Sequence, residues 1–480
     1  MKKFEIKELL EKAKQASIEH VPEHKKDARF EEVIRIVEEE LDEIDKKEKL
    51  EDKALLRRRN AILGVETAVE YYKVKIAEIL SKKELRKEKY PNWYETLEDA
   101  LYNEILGFFG IAKWLNDDAY EHSDSCLIIG DRIFFEEKGQ MVLQEQKISR
   151  EKRDRLKETL MLNNPKENRA AAWHELYSNK KRVTIFNDNG VAKENQDTLV
   201  FRKYHIPDLT LAKEVEWRTI QEGSEVIFEN IVKLAYNVAI TGAVKSSKTS
   251  FLKVLEALED EKLTALAIET DPEIDFHDIL PRAPIIQMVP NDENMDTVIE
   301  RAKRSDAKRI TVAEARNGKM LDIANETANM GTRHLKMSFH NTETIDFVYD
   351  VAEKITRDVG GNLLANMIKT AKTYQYVINM WALPHDESKK RLKGIWEICL
   401  DTDKMEISMN QICRYVQETD SWVWSYHIGE RQREIGMEQN PKAFIKFEKT
   451  LKQLSEKYPD PKPFKHVEPY MKILLAGGRL

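Results

Sequence analysis

Short apolar runs alternate with helical segments along the second half of the chain. Apolar runs typical of buried strands occur at 236–241, 263–269, 308–313 and 334–339. Segments with helical spacing separate or follow them, at 249–259, 292–304, 319–330 and 343–356. Because parallel strands need long crossover connections, this alternation favours a largely parallel sheet covered by helices. With four further strands and a last helix expected after residue 373, the pattern predicts an α/β domain over residues 209–458.

The chain before residue 209 shows two other patterns. Residues 1–98 are dense in charge, with apolar residues at roughly helical spacing, which predicts a charged helical extension with a narrow apolar stripe. A specific docking arm is the alternative interpretation of this extension. Short strand patterns around one helix predict an α+β domain over residues 99–205. A proline indicates a linker at 206–208, and residues 459–480 form a Pro- and Lys-rich tail.

Composition and charge narrow the functional classes. The 480 residues include 78 Lys+Arg and 85 Asp+Glu, and this net charge of −7 argues against a protein that coats nucleic acid. Three cysteines exclude a disulfide scaffold and indicate a reducing compartment, and their spacing predicts no metal site. No apolar stretch reaches about 18 residues, and no apolar segment follows the N-terminal lysines. We therefore expect a cytoplasmic protein without an integral membrane segment.

One segment carries most of the candidate chemistry. An apolar strand leads into Gly242, four residues intervene, and Ser247, Lys248 and Thr249 then open a helix. This is the spacing of a P-loop, G-x-x-x-x-G-K-[ST], with Ser at the second glycine. Backbone N–H groups of such a loop and of the helix N-terminus bind phosphate. The residues predicted to bind ATP are Gly242, Ala243, Val244, Lys245, Ser246, Ser247, Lys248, Thr249 and Ser250.

Within this loop, Lys248 is expected to bridge the β- and γ-phosphates of ATP, and the Thr249 hydroxyl to ligate Mg²⁺. Two positions depart from the usual pattern, because Lys245 and Ser247 stand where many P-loops have glycine. Glycine is used there since the backbone adopts unusual dihedral angles close to the phosphates. A modest loss of nucleotide affinity is expected. The alternative interpretation of the segment is a chance strand–turn–helix with a surface lysine.

Polar residues also follow the next predicted strands. Glu269, Glu314 and His340 stand at the ends of three successive strands after the P-loop helix. Since the carboxyl ends of parallel strands meet at one edge of a sheet, where ligands of α/β proteins bind, these side chains are expected near the loop. The position of Glu314 suits an acidic residue that organises the Mg²⁺ shell or the attacking water.

The segments after the P-loop form three boxes in a fixed order. Their residues are Ile268, Glu269 and Glu273 in an acidic box; Ile310, Val312, Glu314, Arg316 and Gly318 in a Walker B segment; and Ser338, Phe339 and His340 in a histidine box. In this order they resemble the type II/type IV secretion-system ATPases, and more narrowly the CpaF-like branch, which assembles pili and drives conjugative or secretory transfer. The similarity covers about residues 100–455, whereas the first hundred residues stand outside it.

The resemblance implies a RecA-like P-loop domain that closes with the preceding α+β domain over ATP and Mg²⁺. It implies roles for several side chains around the nucleotide. These are Glu314 in catalysis, Glu269 as a water-orienting or general-base carboxylate, His340 as a phosphate sensor, Arg316 as a bridge between carboxylates, and Arg182 and Arg202 as N-terminal-domain contacts to the nucleotide.

The resulting hypothesis is a cytoplasmic ATPase motor that powers a type IV secretion, conjugation or type IV/Flp pilus machine. The resemblance implies a homo-hexamer that works with inner-membrane platform or channel proteins, at the inner face of the cell membrane. Two alternatives stay open. One is a degenerate, non-hydrolysing ring subunit that binds nucleotide and acts as a scaffold, which the substituted loop motivates. The other is a DNA-processing motor, although the balanced charge argues against direct binding of nucleic acid.

Overall fold

The computed structural model describes residues 28–47, 51–62, 64–120, 123, 125–162, 173–178, 181–187, 191–203, 210–270, 273–291, 294–302, 304–329, 331–341 and 343–475. The chain divides into two compact units, Met1–His205 and Ile206–Leu480. The linker predicted at 206–208 and the first 27 residues of the predicted extension lie outside the described residues. Among the helices of the described segments, none combines the length and the apolar character needed to cross a membrane.

The first unit begins with helices that pack on one another. They are α1 (Ala28–Lys47), α2 (Glu51–Ile62), α3 (Glu66–Lys82), α4 (Leu97–Ile105) and α5 (Ala112–Asn116). Val33 and Val37 of α1 share one buried apolar cluster with Tyr72 and Ile76 of α3 and with Leu101 of α4. The charge-rich N-terminal helices therefore enclose a buried apolar core, whereas the sequence predicts only a narrow apolar stripe on them. The predicted boundary after residue 98 lies inside α4.

An antiparallel sheet follows in the same unit. Its six strands lie in the order β3-β2-β1-β6-β5-β4. They are β1 (Ser125–Ile129), β2 (Arg132–Glu137), β3 (Gln140–Lys147), β4 (Trp173–Ser178), β5 (Lys181–Phe186) and β6 (Thr198–Lys203), with helix α6 (Arg150–Leu162) between β3 and β4. Phe135, Val183 and Phe201 are buried in its core. The predicted α+β character is confirmed, although β4 has no counterpart among the predicted strands.

The second unit contains the remaining elements. Its strands are β7 (Val238–Thr241), β8 (Ala265–Ile268), β9 (Ile285–Met288), β10 (Arg309–Val312), β11 (Leu335–Phe339), β12 (Tyr376–Leu383), β13 (Asp386–Asp401), β14 (Glu406–Val416), β15 (Ser421–Trp424) and β16 (Lys465–Val467). Its helices are α7 (Leu211–Glu216), α8 (Glu225–Lys233), α9 (Lys248–Ala257), α10 (Phe276–Ile279), α11 (Met295–Ala302), α12 (Gly318–Asn329), α13 (Phe347–Asp358), α14 (Leu363–Thr373), α15 (Glu430–Gln439), α16 (Pro441–Lys457) and α17 (Pro469–Leu475).

These strands form one mixed sheet in the order β15-β14-β13-β12-β7-β11-β10-β8-β9, and β16 pairs with β14. The strands β12, β7, β11, β10, β8 and β9, in that spatial order, are all parallel to their neighbours. The pairs β12–β13, β13–β14, β14–β15 and β14–β16 are antiparallel. The parallel part with its crossover helices confirms the predicted α/β fold. The strand before the P-loop, β7, lies inside it between β11 and β12, which fixes the start of the loop.

Both faces of the parallel sheet are covered. Along β7, Val238 and Ile240 belong to one buried cluster and Ala239 to the other. A strand buried on both faces reads as a continuous apolar run, which is why the sequence reveals these strands clearly. The predicted tail also contributes to this unit, since β16 extends the sheet and Met471 of α17 is buried in one of the two clusters.

Candidate functional site

The loop between β7 and α9 has backbone angles that favour glycine. Gly242 has φ 143°, and a Cβ there would lie 2.2 Å from the carbonyl oxygen of Met380, so the position requires glycine. Lys245 and Ser247 have φ angles of 61° and 70°, in the left-handed region that glycine adopts without strain. These are the two positions where the sequence departs from the glycine pattern. The loop therefore has the backbone conformation that glycine favours, although lysine and serine occupy these two positions.

Lys248 begins helix α9 and is almost enclosed, with 6% of its surface exposed. Its Nζ donates to the carbonyl oxygen of Ala243 at 2.7 Å, so the side chain curls back over the loop. The same Nζ lies 3.2 Å from Nδ1 of His340. Burial lowers the pKa of Lys248 to about 8, although the negative charge of Glu314 acts to raise it. An anion bound in the loop would compensate for this desolvation.

His340 joins Lys248 to the acidic residue after β10. Nε2 of His340 lies 2.8 Å from Oε1 of Glu314. An ammonium group can only donate, so the arrangement is satisfied when Nδ1 accepts from Lys248 and Nε2–H donates to Glu314. Arg316 contacts the other oxygen of Glu314 at 2.8 Å. Burial opposes ionisation of Glu314, but the hydrogen bonds from His340 and Arg316 lower its pKa to about 2. The structure thus brings four predicted residues into one chain of contacts.

Glu269 follows β8 but turns toward its own loop. Its carboxylate accepts a hydrogen bond from the backbone N–H of Ile274 at 3.1 Å, and 4% of the residue is exposed. Burial raises the pKa of Glu269 to about 8, although the Ile274 hydrogen bond and the charge of Lys253 act in the opposite direction. Glu269 thus differs from Glu314, whose pKa is lowered, and its role as general base stays a prediction.

The remaining loop residues show whether a nucleotide phosphate fits here. The Ser246 side chain is buried, and its Oγ has no hydrogen-bond partner among the described residues. Ala243, Val244 and Lys245 form the exposed tip of the loop, and Thr249 and Ser250 are half-buried in the first turn of α9. A buried hydroxyl without a partner is costly unless a ligand satisfies it. Together with the buried Lys248, it fits a bound phosphate.

Two residues outside the predicted set brace the loop. Nδ2 of Asn379 on β12 donates to Oγ1 of Thr241 at 2.9 Å, directly before Gly242. Nζ of Lys390 on β13 donates to the carbonyl oxygen of Lys245 at 2.7 Å. Neither residue lies in a box of recognisable spacing. Their positions follow from the pairing of β12 with β7 and β13, which the apolar pattern alone does not specify.

A buried ionic cluster anchors the far end of α9 to the sheet. The Glu256 carboxylate contacts Arg309 of β10 and lies 3.3 Å from Nζ of Lys336 on β11. Glu259 contacts Lys336 and, at 3.0 Å, Nδ1 of His334. Burial opposes ionisation of Glu259, but Lys336 and His334 lower its pKa to about 2. Helix α9 is thus fixed to the two strands that carry Glu314 and His340 at their ends.

The two N-terminal arginines lie in the first unit. Arg182 on β5 and Arg202 on β6 stand directly opposite each other in the antiparallel sheet. Arg182 is buried, whereas Arg202 is half-buried. Their contact with a nucleotide stays a prediction.

Neither a comparison with protein-family models nor one with curated protein sequences finds a match. Among solved structures, the chain is similar to the VirB11 ATPase of the Brucella suis type IV secretion system, with 14% identity over 60% of this chain and 92% of that one, at a TM-score of 0.32. It is similar to the Legionella pneumophila ATPase DotB, with 16% identity over 77% and 95% of the two chains and a TM-score of 0.40. For the pilus retraction motor PilT with bound ADP the identity is 12%, over 73% and 93% of the chains, at a TM-score of 0.43.

Proposed function

We propose that this chain is an ATPase of the type II/type IV secretion-system kind, which hydrolyses ATP at the loop between β7 and α9. One observation carries the proposal. The buried Lys248 at the start of α9 is linked through His340 to the ionised Glu314 at the edge of the same sheet. A cation suited to phosphate thus stands one side chain away from a carboxylate that would act on water.

Different side chains of this site have different proposed roles. Lys248 and the partnerless Ser246 hydroxyl would bind the β- and γ-phosphates of ATP. The Thr249 hydroxyl would hold Mg²⁺, which supplies charge neutralisation for cleavage of the β–γ bond. Glu314 stays ionised at neutral pH and would orient the attacking water. His340, in contact with both Lys248 and Glu314, would transmit the position of one to the other.

ATP turnover tests the proposal. Purified protein should release phosphate from ATP in the presence of Mg²⁺, and Lys248→Ala and Glu314→Gln should each lower the rate by at least about tenfold. Lys319→Ala is the matched control, because this lysine forms an exposed ion pair with Asp296 and lies outside the site. Equal rates for wild type, Lys248→Ala and the control would contradict the proposal.

A second candidate function is a nucleotide-binding ring subunit that does not hydrolyse ATP and acts as a scaffold. The left-handed backbone at Lys245 and Ser247 favours it, since side chains at these positions crowd a loop that must approach phosphate. Replacing both with glycine distinguishes the candidates. A large gain in turnover from a baseline near zero would support the scaffold, whereas a small change from a clear wild-type rate would support the ATPase.

We further propose that the protein acts in the cytoplasm as a homo-hexamer on inner-membrane platform or channel proteins of a secretion, conjugation or pilus machine. The support is the order of sequence boxes from Ile268 to His340. Light scattering of the full-length protein with and without ATP and Mg²⁺ tests the assembly. A protein that stays monomeric under both conditions at micromolar concentration would argue against the ring.

A further inference from the structure

Three potential metal ligands meet at the antiparallel end of the second sheet. Glu397 and Cys399 stand two residues apart on β13, so their side chains leave the strand on the same face. His427 lies in the segment between β15 and α15. One ligand atom from each of the three residues lies within 4.8 Å of the others. The cluster belongs to the second unit and shares no residue with the nucleotide site.

The carboxylate at the centre of the cluster is fully buried and already oriented. One of its oxygens accepts the backbone N–H of Gly429 at 2.8 Å. The other contacts Nδ1 of His427. A hydrogen bond to the second oxygen of a ligating carboxylate is the typical support of a metal ligand. The His427 side chain is 43% exposed, which leaves a route from solvent to the buried Glu397.

A second, independent observation concerns the neighbouring strand. Tyr376 of β12 stands directly opposite Glu397 and is fully buried. Its hydroxyl lies near both Glu397 and Cys399, and although no hydrogen bond of good geometry reaches it in the described part of the chain, it is close enough to Glu397 for a weak one. A buried hydroxyl usually has a well-placed hydrogen-bond partner. An additional polar occupant of the cluster would give it a better-placed one than Glu397.

We propose that Glu397, Cys399 and His427 bind a divalent transition-metal ion of the zinc class. A thiolate, a carboxylate and an imidazole form the mixed S, O and N set that Zn²⁺ accepts, whereas Mg²⁺ prefers oxygen ligands alone. A thiolate and a carboxylate together carry two negative charges, so the occupied site is electrically neutral. On binding, the thiol proton of Cys399 passes to solvent. The Tyr376 hydroxyl supplies a polar group for the fourth position, directly or through a water molecule.

Such a site would have a structural role. It would link the C-terminal part of β13 to the segment that leads into α15. Without a metal, the two meet through the contact of Glu397 with His427 and the hydrogen bond from Gly429. The alternative is that this charge pair is complete by itself and that Cys399 is a neighbouring thiol held by Nδ2 of Asn410, at 3.4 Å from Sγ. Metal binding decides between the two.

Cobalt titration of the full-length protein tests the proposal, because Co²⁺ substitutes for Zn²⁺ and reports its ligands by absorption. Protein treated with a chelator should bind one Co²⁺ per chain, with a thiolate-to-cobalt charge-transfer band that Zn²⁺ abolishes. Cys399→Ser should lose the band, and Glu397→Gln, which conserves size, should weaken metal binding at least tenfold. Cys413→Ala is the matched control, because this second cysteine of the unit is buried elsewhere in its core and should leave the band unchanged.

Thermal unfolding with and without Zn²⁺ provides the second readout. Wild type and Cys413→Ala should gain stability on addition of Zn²⁺, and Cys399→Ser should not. His340→Ala should bind Co²⁺ as wild type does, which separates this site from the proposed nucleotide site. Absence of the charge-transfer band in wild type, or its survival in Cys399→Ser, would overturn the proposal whether or not the protein hydrolyses ATP.

Discussion

Replacing Lys248 with methionine is expected to stabilise the protein in the absence of nucleotide. The side chain is 6% exposed, and burial lowers its pKa from 10.5 to about 8. A cation whose pKa falls on folding destabilises the folded state wherever it is protonated. The penalty is therefore complete below pH 8, decreases between pH 8 and 10.5, and disappears above 10.5. The proposed function, which needs a cation for phosphate, would account for a residue that costs stability.

The magnitude follows from this pKa difference. At about 1.4 kcal/mol per pH unit, the fall from 10.5 to about 8 corresponds to about 3 kcal/mol. Methionine conserves the length of the side chain but loses the hydrogen bonds to Ala243 and His340, which contribute about 1 kcal/mol each once the effect of the charge has been counted in the pKa difference. A net gain of about 1 to 2 kcal/mol at pH 7 is expected.

Urea unfolding at pH 7, followed by tryptophan fluorescence, measures this gain. Addition of ADP and Mg²⁺ should stabilise wild type and leave Lys248→Met unchanged, because ligands stabilise only the state that binds them. Lys253→Met is the matched control, since Lys253 is buried on the same helix but donates to the carbonyl oxygen of Glu273. This variant should respond to nucleotide as wild type does. A Lys248→Met protein less stable than wild type, or equally stabilised by ADP, would refute the reasoning.

Two further predictions concern the ionic cluster beneath α9. Glu256→Ala should lower the free energy of unfolding, measured in urea, by about 3 to 5 kcal/mol, because Arg309 stays buried without the Glu256 carboxylate. A decrease below about 1 kcal/mol would show that this ion pair contributes little. The pKa of Glu259 falls from 4.5 to about 2 on folding, so its contribution is complete above pH 4.5 and is lost as the pH falls toward 2. Unfolding measured from pH 7 to pH 3 should show this loss in wild type, and Glu259→Gln should remove that part of the pH dependence.

The loop between β7 and α9 and the sheet around it could be predicted because their signals are local. The apolar run of β7, the glycine and the helix start at Lys248 occupy consecutive positions, and a strand buried on both faces is apolar throughout. Placement of Glu314 and His340 near the loop follows from a general property of parallel sheets. Their hydrogen bond, by contrast, depends on the alignment of β10 with β11, which the sequence does not specify.

The parts that escaped prediction depend on contacts between distant segments. Glu256 and Arg309 are 53 positions apart and resemble solvated charges in the sequence, although both are buried. Cys399 and His427 show no ligand spacing, because they meet through the turn of the chain after β15. The apolar stripe of α1 looks too narrow for a core until α3 and α4 pack against it.

The shape of the phosphate loop has a physical basis outside the loop itself. A non-glycine residue in the left-handed region costs about 1 to 2 kcal/mol, so Lys245 and Ser247 hold their conformation only if surrounding contacts outweigh that cost. Such contacts exist on the side of β12 and β13, where Met380 closes over Gly242 and Lys390 binds the carbonyl oxygen of Lys245. In a loop rich in glycine the backbone itself permits the turn. Here the neighbouring hairpin supports it, so we expect the loop to keep this shape without bound phosphate and a substitution in the hairpin to change the proposed nucleotide affinity from outside the motif.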